Sequence, residues 1–335
     1  MPILKYDFIG KTMSKSFKIR DIVAEEATKV TGFLTIEDDT AATVKLLIGI
    51  IKGSEEGPVL SITGGMYGTQ YPGIDACIRT YNEIDPKRLK GSIITIPVIE
   101  MTGFQKCMDK SSIDGLSSNS VFPGDPEGTI TYRIAYTVFN EVIKKSDYHI
   151  DLRGGDLWEN LHTFSISCET GNKNFDVKTS TLAKILGTKY YLIIPYIKGS
   201  LIGEASKLGI ASVILESSKG LGTYDEEDIQ SCMKGIYNLL KHLTMIKGKP
   251  DIPYEPKKIE FKMHHIKAKH GGLLYLQCKY GEVASKGQKL GDIRNLKGEI
   301  LQELIAPIDG IIHYTYPKHI KHPGDLILGM RRILE

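Results

Sequence analysis

Residues 131–155 read TYRIAYTVFNEVIKKSDYHIDLRGG, and this stretch decides the fold class. Ile134, Ala135, Val138, Val142 and Ile143 recur at helical spacing, so one face of a helix is apolar. The pattern then changes to a compact apolar run, Tyr148 to Leu152, which reads as a strand and stops at Arg153-Gly154-Gly155. A helix feeding a strand that ends on a glycine loop is the repeating unit of an α/β sheet. In such sheets sites gather at the carboxyl ends of the strands.

Working outward, the unit returns on both sides. Upstream, Ala42 to Ile51, Pro58 to Thr63 and Ser92 to Val98 read as strands, the second ending in Gly64-Gly65. A helix starts at Pro72 and carries Ile74, Cys77, Ile78 and Tyr81 on one face. Downstream, strands are expected at Thr163 to Ser167, Tyr190 to Pro195 and Ala211 to Glu216, and a final helix over Glu226 to Leu243. The fold class is therefore α/β, a mostly parallel sheet flanked by helices. The texture changes near Lys247: residues 248–258, with Pro250, Pro253 and Pro256, form a linker, and no helical period follows. Residues 1–247, with an extension over about 1–35, make the α/β domain, and 259–335 a smaller all-β domain. That second domain resembles the barrel-sandwich domains related to biotinyl and lipoyl carriers. Lys297 before Gly298 takes the place of their hairpin-tip lysine, but the residues flanking it differ, and a packing role is expected.

With 335 residues, 41% apolar and 25% charged, the chain has the composition of a globular protein. A net charge of +3, with both signs interspersed, gives little field for nucleic acid. No apolar run approaches membrane-spanning length and no signal-like segment opens the chain, so a cytoplasmic location is expected. Five scattered cysteines, none in a C-x-x-C pair, argue against a disulfide framework and a zinc ribbon. Cys107 and Cys168 have no base fixed by spacing and read as structural thiols. His162 and Cys168, flanking one strand, read as core or surface residues rather than metal ligands, and His264, His265, His270, His319 and His322 as a solvated basic edge.

Several landmarks coincide in order and spacing: Gly64-Gly65-Met66-Tyr67-Gly68-Thr69-Gln70-Tyr71-Pro72-Gly73, Asp114-Gly115-Leu116, Phe122-Pro123-Gly124, Tyr132-Arg133-Ile134-Ala135, Asp151-Leu152-Arg153-Gly154-Gly155, and Glu216 closing a strand. Together they resemble the succinylglutamate desuccinylase and aspartoacylase family, deacylases on a zinc-carboxypeptidase-like fold. The likeness spans nearly the whole chain. It implies hydrolysis of amide bonds in small N-acylated amino acids by zinc held between two histidines and a glutamate, with one position open for water.

At the matching positions this chain has Tyr67, Gln70 and Arg153. A phenol, a neutral amide and a permanent cation are poor zinc donors, so no metal ligands are assigned. The carboxylate-clamping run of the family appears as Ser117-Ser118-Asn119-Ser120, an Asn-Pro pair as Glu100-Met101, and a later arginine as Asp109. Glu216 stands where the family keeps its general acid/base. The pocket polarity thus reads as reversed: Arg153 beside Glu216, Asp151 and Asp156, and an acidic opposite wall at Glu100 and Asp109 that receives an amine or guanidinium. Ligand contacts are expected from Gln70, Glu100, Asp109, Asn119, Ser120, Asp151, Asp156 and Trp158, the last on a glycine loop suited to a lid.

Two functions follow from this reading. The first is metal-free binding of a small amino-acid-like ligand, alone, as a homo-oligomer or as the inactive partner of an active paralogue. The second is a metal-independent reaction with Glu216 as acid/base and Arg153 and Tyr67 stabilising negative charge. Ordinary zinc deacylation would need ligands that the sequence does not supply.

Overall fold

A computed structural model describes residues 15–37, 43–217 and 225–334. Residues 1–14 of the expected extension, and Ala42 at the start of one expected strand, lie outside them. The centre is a nine-stranded sheet in the order Lys257–Ile259, Tyr190–Ile194, Phe164–Cys168, Ala211–Glu216, Tyr148–Arg153, Glu55–Thr63, Lys90–Ile96, Thr43–Lys52, Thr28–Glu37. Five of its eight pairings are parallel. The antiparallel ones lie between Ala211–Glu216 and Phe164–Cys168 and at the amino-terminal edge. Parallel strands therefore dominate the middle, where the carboxyl ends of Glu55–Thr63, Tyr148–Arg153 and Ala211–Glu216 open side by side.

Helices on both faces make the middle strands fully buried, which is why they read as apolar runs without alternation. On one face Cys77, Leu182, Ile229 and Leu239 from the helices Tyr71–Glu83, Lys173–Ile185 and Glu226–His242 pack on Leu60, Ile62, Ile150 and Leu152. On the other, Ile134 and Val138 of the helix Ile130–Glu141 meet Ile48, Ile94 and Ile96. The helix Glu226–His242 shows how local chemistry sets its ends. Asp225 accepts a hydrogen bond from the Glu227 amide, acids fill the first turn, and Lys241 and His242 sit in the last, matching the helix dipole. No helix among the described residues is long and apolar enough to cross a membrane.

Two features were not legible in advance. A hairpin of Ser16–Ile19 and Ile22–Glu25 buries Ile19, Ile22 and Ala24 in the core, followed by the edge strand Thr28–Glu37. The segment expected as a linker ends in a strand, Lys257–Ile259, that joins the central sheet beside Tyr190–Ile194. Beyond it come antiparallel sheets, one ordered His264–Lys267, Leu326–Arg331, Gly310–Thr315, Val283–Ala284, the other Ile300–Ile305, Lys289–Arg294, Gly272–Leu276, Ile320–Lys321. Leu274, Leu290, Ile293, Leu304, Ile312 and Ile327 fill the core between them. The two-residue strand Asn160–Leu161 leaves the α/β part to pair with Tyr314–Thr315.

Candidate functional site

Strand periodicity builds the floor of the site. In Tyr148–Arg153 the apolar residues Ile150 and Leu152 face the helical core, so His149, Asp151 and Arg153 face the other way, all buried. The parallel register sets Thr63 opposite Asp151 and Glu216 opposite Arg153. A polar stripe thus crosses an otherwise apolar sheet.

Its members satisfy one another. Thr63 Oγ1 donates to Asp151 Oδ1 at 2.8 Å, so its contact with His149 Nε2 at 3.0 Å must have the ring donating. His149 Nδ1 is then the acceptor from Ser212 Oγ at 2.7 Å, which fixes a neutral tautomer. Burial lowers the His149 pKa to about 4, against the pull of Asp151. Arg153 donates through Nε to Asp151 Oδ2 at 2.6 Å and through Nη2 to Asn119 Oδ1 at 2.9 Å. Burial works against the guanidinium charge, but Asp151, Tyr67 and Glu216 together hold its pKa above the ordinary value. The Tyr67 ring lies over it, 6.0 Å from centroid to guanidinium carbon. Arg153 is 5% exposed and does not pair directly with Glu216; the carboxylate it engages is Asp151.

The loop Gly64 to Gly73 brings Tyr67 and Gln70 to this floor. Gly65 adopts φ +54, which a side chain would resist, and Gly73 packs so close to Leu152 that a Cβ would sit 2.5 Å from its carbonyl oxygen. Gln70, buried at 2% exposure, donates from Nε2 to the Gly154 carbonyl at 2.7 Å, while its Oε1 has no partner.

The remaining expected residues separate into two groups. Asp109, Asp156 and Glu216 share an acidic cluster with Glu159, which the sequence reading overlooked. Burial pushes the Glu216 carboxyl up to about 8, with Arg153 opposing and Glu159, Asp156 and Asp151 adding to it. Burial likewise raises Glu159 to about 7, with Asp156 adding and the Asp156 amide and Tyr316 hydroxyl opposing. Asp156 rises to about 6 through burial and Asp109, against Arg153 and Lys110. Asp109 also accepts a short hydrogen bond from Thr69. Trp158, 53% exposed, stands on the same loop as Asp156 and Glu159.

Glu100 and Ser120 do not line the cleft as expected. Glu100 is fully buried, and its oxygens are taken by Thr102 at 2.7 Å, Ser118 at 2.6 Å and the Gly103 amide at 3.3 Å, because it caps the short helix Met101–Phe104. Ser120 is exposed and bonds the Ser117 carbonyl. Asn119 and Asp151 act as clamps on Arg153, Asn119 also accepting from the Leu201 amide. The acidic wall comes from Asp156, Glu159 and Glu216 rather than Glu100. His162 contacts His313 at 3.1 Å between the central sheet and the carboxyl-terminal strands, whereas Cys168 bonds the Glu169 carbonyl. Among the described residues no group of three or more His, Cys, Asp or Glu side chains could hold a metal ion.

A family model for the succinylglutamate desuccinylase/aspartoacylase catalytic domain matches residues 56–243. The chain is 26% identical over 313 residues to the N-alpha-acetyl-L-2,4-diaminobutyric acid deacetylase of Halomonas elongata, covering 90% of each. Its fold is similar to a succinylglutamate desuccinylase/aspartoacylase structure from Rhodobacter sphaeroides, with 21% identity, 96% and 100% of the two chains covered and a TM-score of 0.83. It is likewise similar to the product-bound ectoine utilization protein EutE (DoeB) from Ruegeria pomeroyi, with 20% identity, the same coverage and a TM-score of 0.84.

Proposed function

From the premise that the chain belongs to the succinylglutamate desuccinylase/aspartoacylase family, a family of deacylases, we propose that it uses the cleft without zinc, to bind a small amino-acid-like ligand. One observation carries this reading. Arg153, at the position matching the family's second histidine, is buried and held by Asp151 and Asn119. A fixed guanidinium there repels a dication, and the neighbouring donors are the weakly coordinating amide of Gln70 and the phenol of Tyr67. The residues present do not fit the family's metal, and no step is assigned to it.

What Arg153 retains is Nη1, which can take a ligand carboxylate alongside the Tyr67 ring. The test is metal analysis of untagged protein together with melting curves in the presence of small amino acids and their N-acyl derivatives. Substoichiometric zinc and a raised melting temperature are expected. Stoichiometric zinc retained through chelation would overturn the reading.

A second reading has its own support. The Glu216 side chain makes no hydrogen bond or ion pair with the described residues, and its carboxyl is pushed up to about 8, so at neutral pH it holds a proton that a metal-independent reaction could use. Here Glu216→Gln abolishes a turnover that survives chelator. Under the first reading no such turnover exists.

A further inference from the structure

The central sheet has a second set of carboxyl ends. Phe164–Cys168 runs antiparallel to Ala211–Glu216, and Tyr190–Ile194 runs parallel to Phe164–Cys168, so these two strands start at the cleft end of the sheet and finish at the other. There a cavity of about 450 Å³ opens among the loop that follows Cys168, the residues after Ile194 and the turn before Ala211. It lies a strand length from Glu216, roughly 20 Å for a strand of 6 residues. No residue of its wall belongs to the cleft. The size suits a small molecule, and crevices outside the carboxyl ends of strands are where α/β sheets take ligands.

The wall combines aromatic surface with unspent donors. Phe175 and Tyr196 both line it, and at Gly209, which adopts φ +79, a Cβ would meet nothing within 4 Å. The Lys207 ammonium lies 5.6 Å from the centre of the Tyr196 ring and has no carboxylate partner among the described residues. Two acids of the same segments are already engaged. Glu204 accepts from the Tyr196 hydroxyl at 2.6 Å and the Gly199 amide at 3.1 Å, and Asp176 accepts from the Thr170 amide and hydroxyl and the Gly171 amide. Asn172 receives the Phe175 amide on Oδ1, which leaves its Nδ2 donors over and turns the positive end of the helix Lys173–Ile185 to the cavity. Ser206, also in the wall, is 3% exposed, and its hydroxyl has no partner. A helical serine ordinarily bonds a carbonyl one turn back; a buried hydroxyl without that bond marks where an acceptor arrives.

We propose that this cavity is a second ligand site and takes a small aromatic carboxylate, its ring against Phe175 and Tyr196 and its charge toward Lys207, Asn172 Nδ2 and Ser206. An amine would meet Lys207 with like charge, an aliphatic acid would forgo the ring contacts, and a bare inorganic anion would leave the aromatic wall uncovered. The site stands apart from the cleft, so its failure leaves the reading of Arg153 untouched.

The test is an amide-resolved NMR titration of the intact protein at neutral pH with phenylacetate. Two analogues divide its chemistry: phenylacetamide keeps the ring without the charge, and cyclohexylacetate keeps the charge without the aromatic face. Phenylacetate is expected to move the signals of Asn172, Phe175 and Gly209, to leave those of Gly154, Trp158 and Glu216 in place, and to bind about threefold more tightly than either analogue. Lys207→Gln, a change at an exposed position, should abolish the preference over the amide, and Tyr196→Leu should abolish the preference over cyclohexylacetate. Equal binding of phenylacetamide, or an unchanged preference in Lys207→Gln, would overturn the anion seat. Equal binding of cyclohexylacetate would overturn the aromatic one. Signals that move only around Gly154 and Trp158, or none that move at millimolar ligand, would overturn the site as a whole.

Discussion

The two sides of the cleft are built on opposite terms. On the Arg153 side the polar groups interlock: Ser212, His149, Thr63, Asp151 and Arg153 form one buried chain of hydrogen bonds that ends on half-buried Asn119. On the Glu216 side three carboxylates crowd together, Glu159 taking the Tyr316 hydroxyl while the Glu216 and Asp156 side chains have no hydrogen-bond partner among the described residues. Buried polar groups that satisfy one another hold a fold in place, whereas groups left wanting a partner mark where something else binds. The contrast separates residues that shape the pocket from residues that use it.

The largest effect should come from breaking the interlocked side. Asp151→Ala strands a buried guanidinium and should cost about 3–5 kcal/mol in denaturant unfolding, and adding Arg153→Met should recover much of that loss. A single-variant cost no greater than that of a surface change would show that Arg153 is not held as described. Thr63→Val, which removes both the donor to Asp151 and the acceptor for His149, should cost ~1–3 kcal/mol by the same measurement.

The Glu216 side should respond with the opposite sign. The Glu159 pKa is raised from 4.5 to about 7 in the folded chain, so the folded state binds more protons across that window and stability falls as pH climbs through it. Glu159→Gln should therefore leave stability unchanged near pH 4 and raise it by ~1 kcal/mol near pH 8, allowing for solvent screening of a partly exposed group. Melting curves at the two pH values read this directly, and a variant less stable at both would erase the contrast. Trp158→Ala, at the rim, should change stability by no more than ~0.5 kcal/mol in calorimetric melting.

The fold was legible because its central strands are apolar runs between helical periods, and Tyr148 to Leu152 alone carries that signal. The amino-terminal strands escaped because Lys18, Arg20, Asp21, Glu25, Glu26 and Lys29 give their segment the look of a solvated opening, although one face of it is apolar. Within the site, Arg153, Asp156 and Glu216 could be picked out along the chain. Their partners could not, because Thr63 meets Asp151 only through strand register and Glu100 turns inward only because a helix starts beside it. Glu159 lies in a loop with no period to read, and Tyr316 reaches it from just past the strand Gly310–Thr315, far along the chain. A loop carboxylate just after an exposed aromatic was the one signal that could have found it.

The short strand Asn160–Leu161 gives that loop an anchor. Because the residue after Glu159 is laced into the terminal sheet, the loop takes its bearings from backbone more than a hundred positions downstream. A chain cut before Gly310 would keep Arg153, Asp156, Glu159 and Glu216 yet lose the Tyr316 hydroxyl and the rail against which Glu159 is aligned.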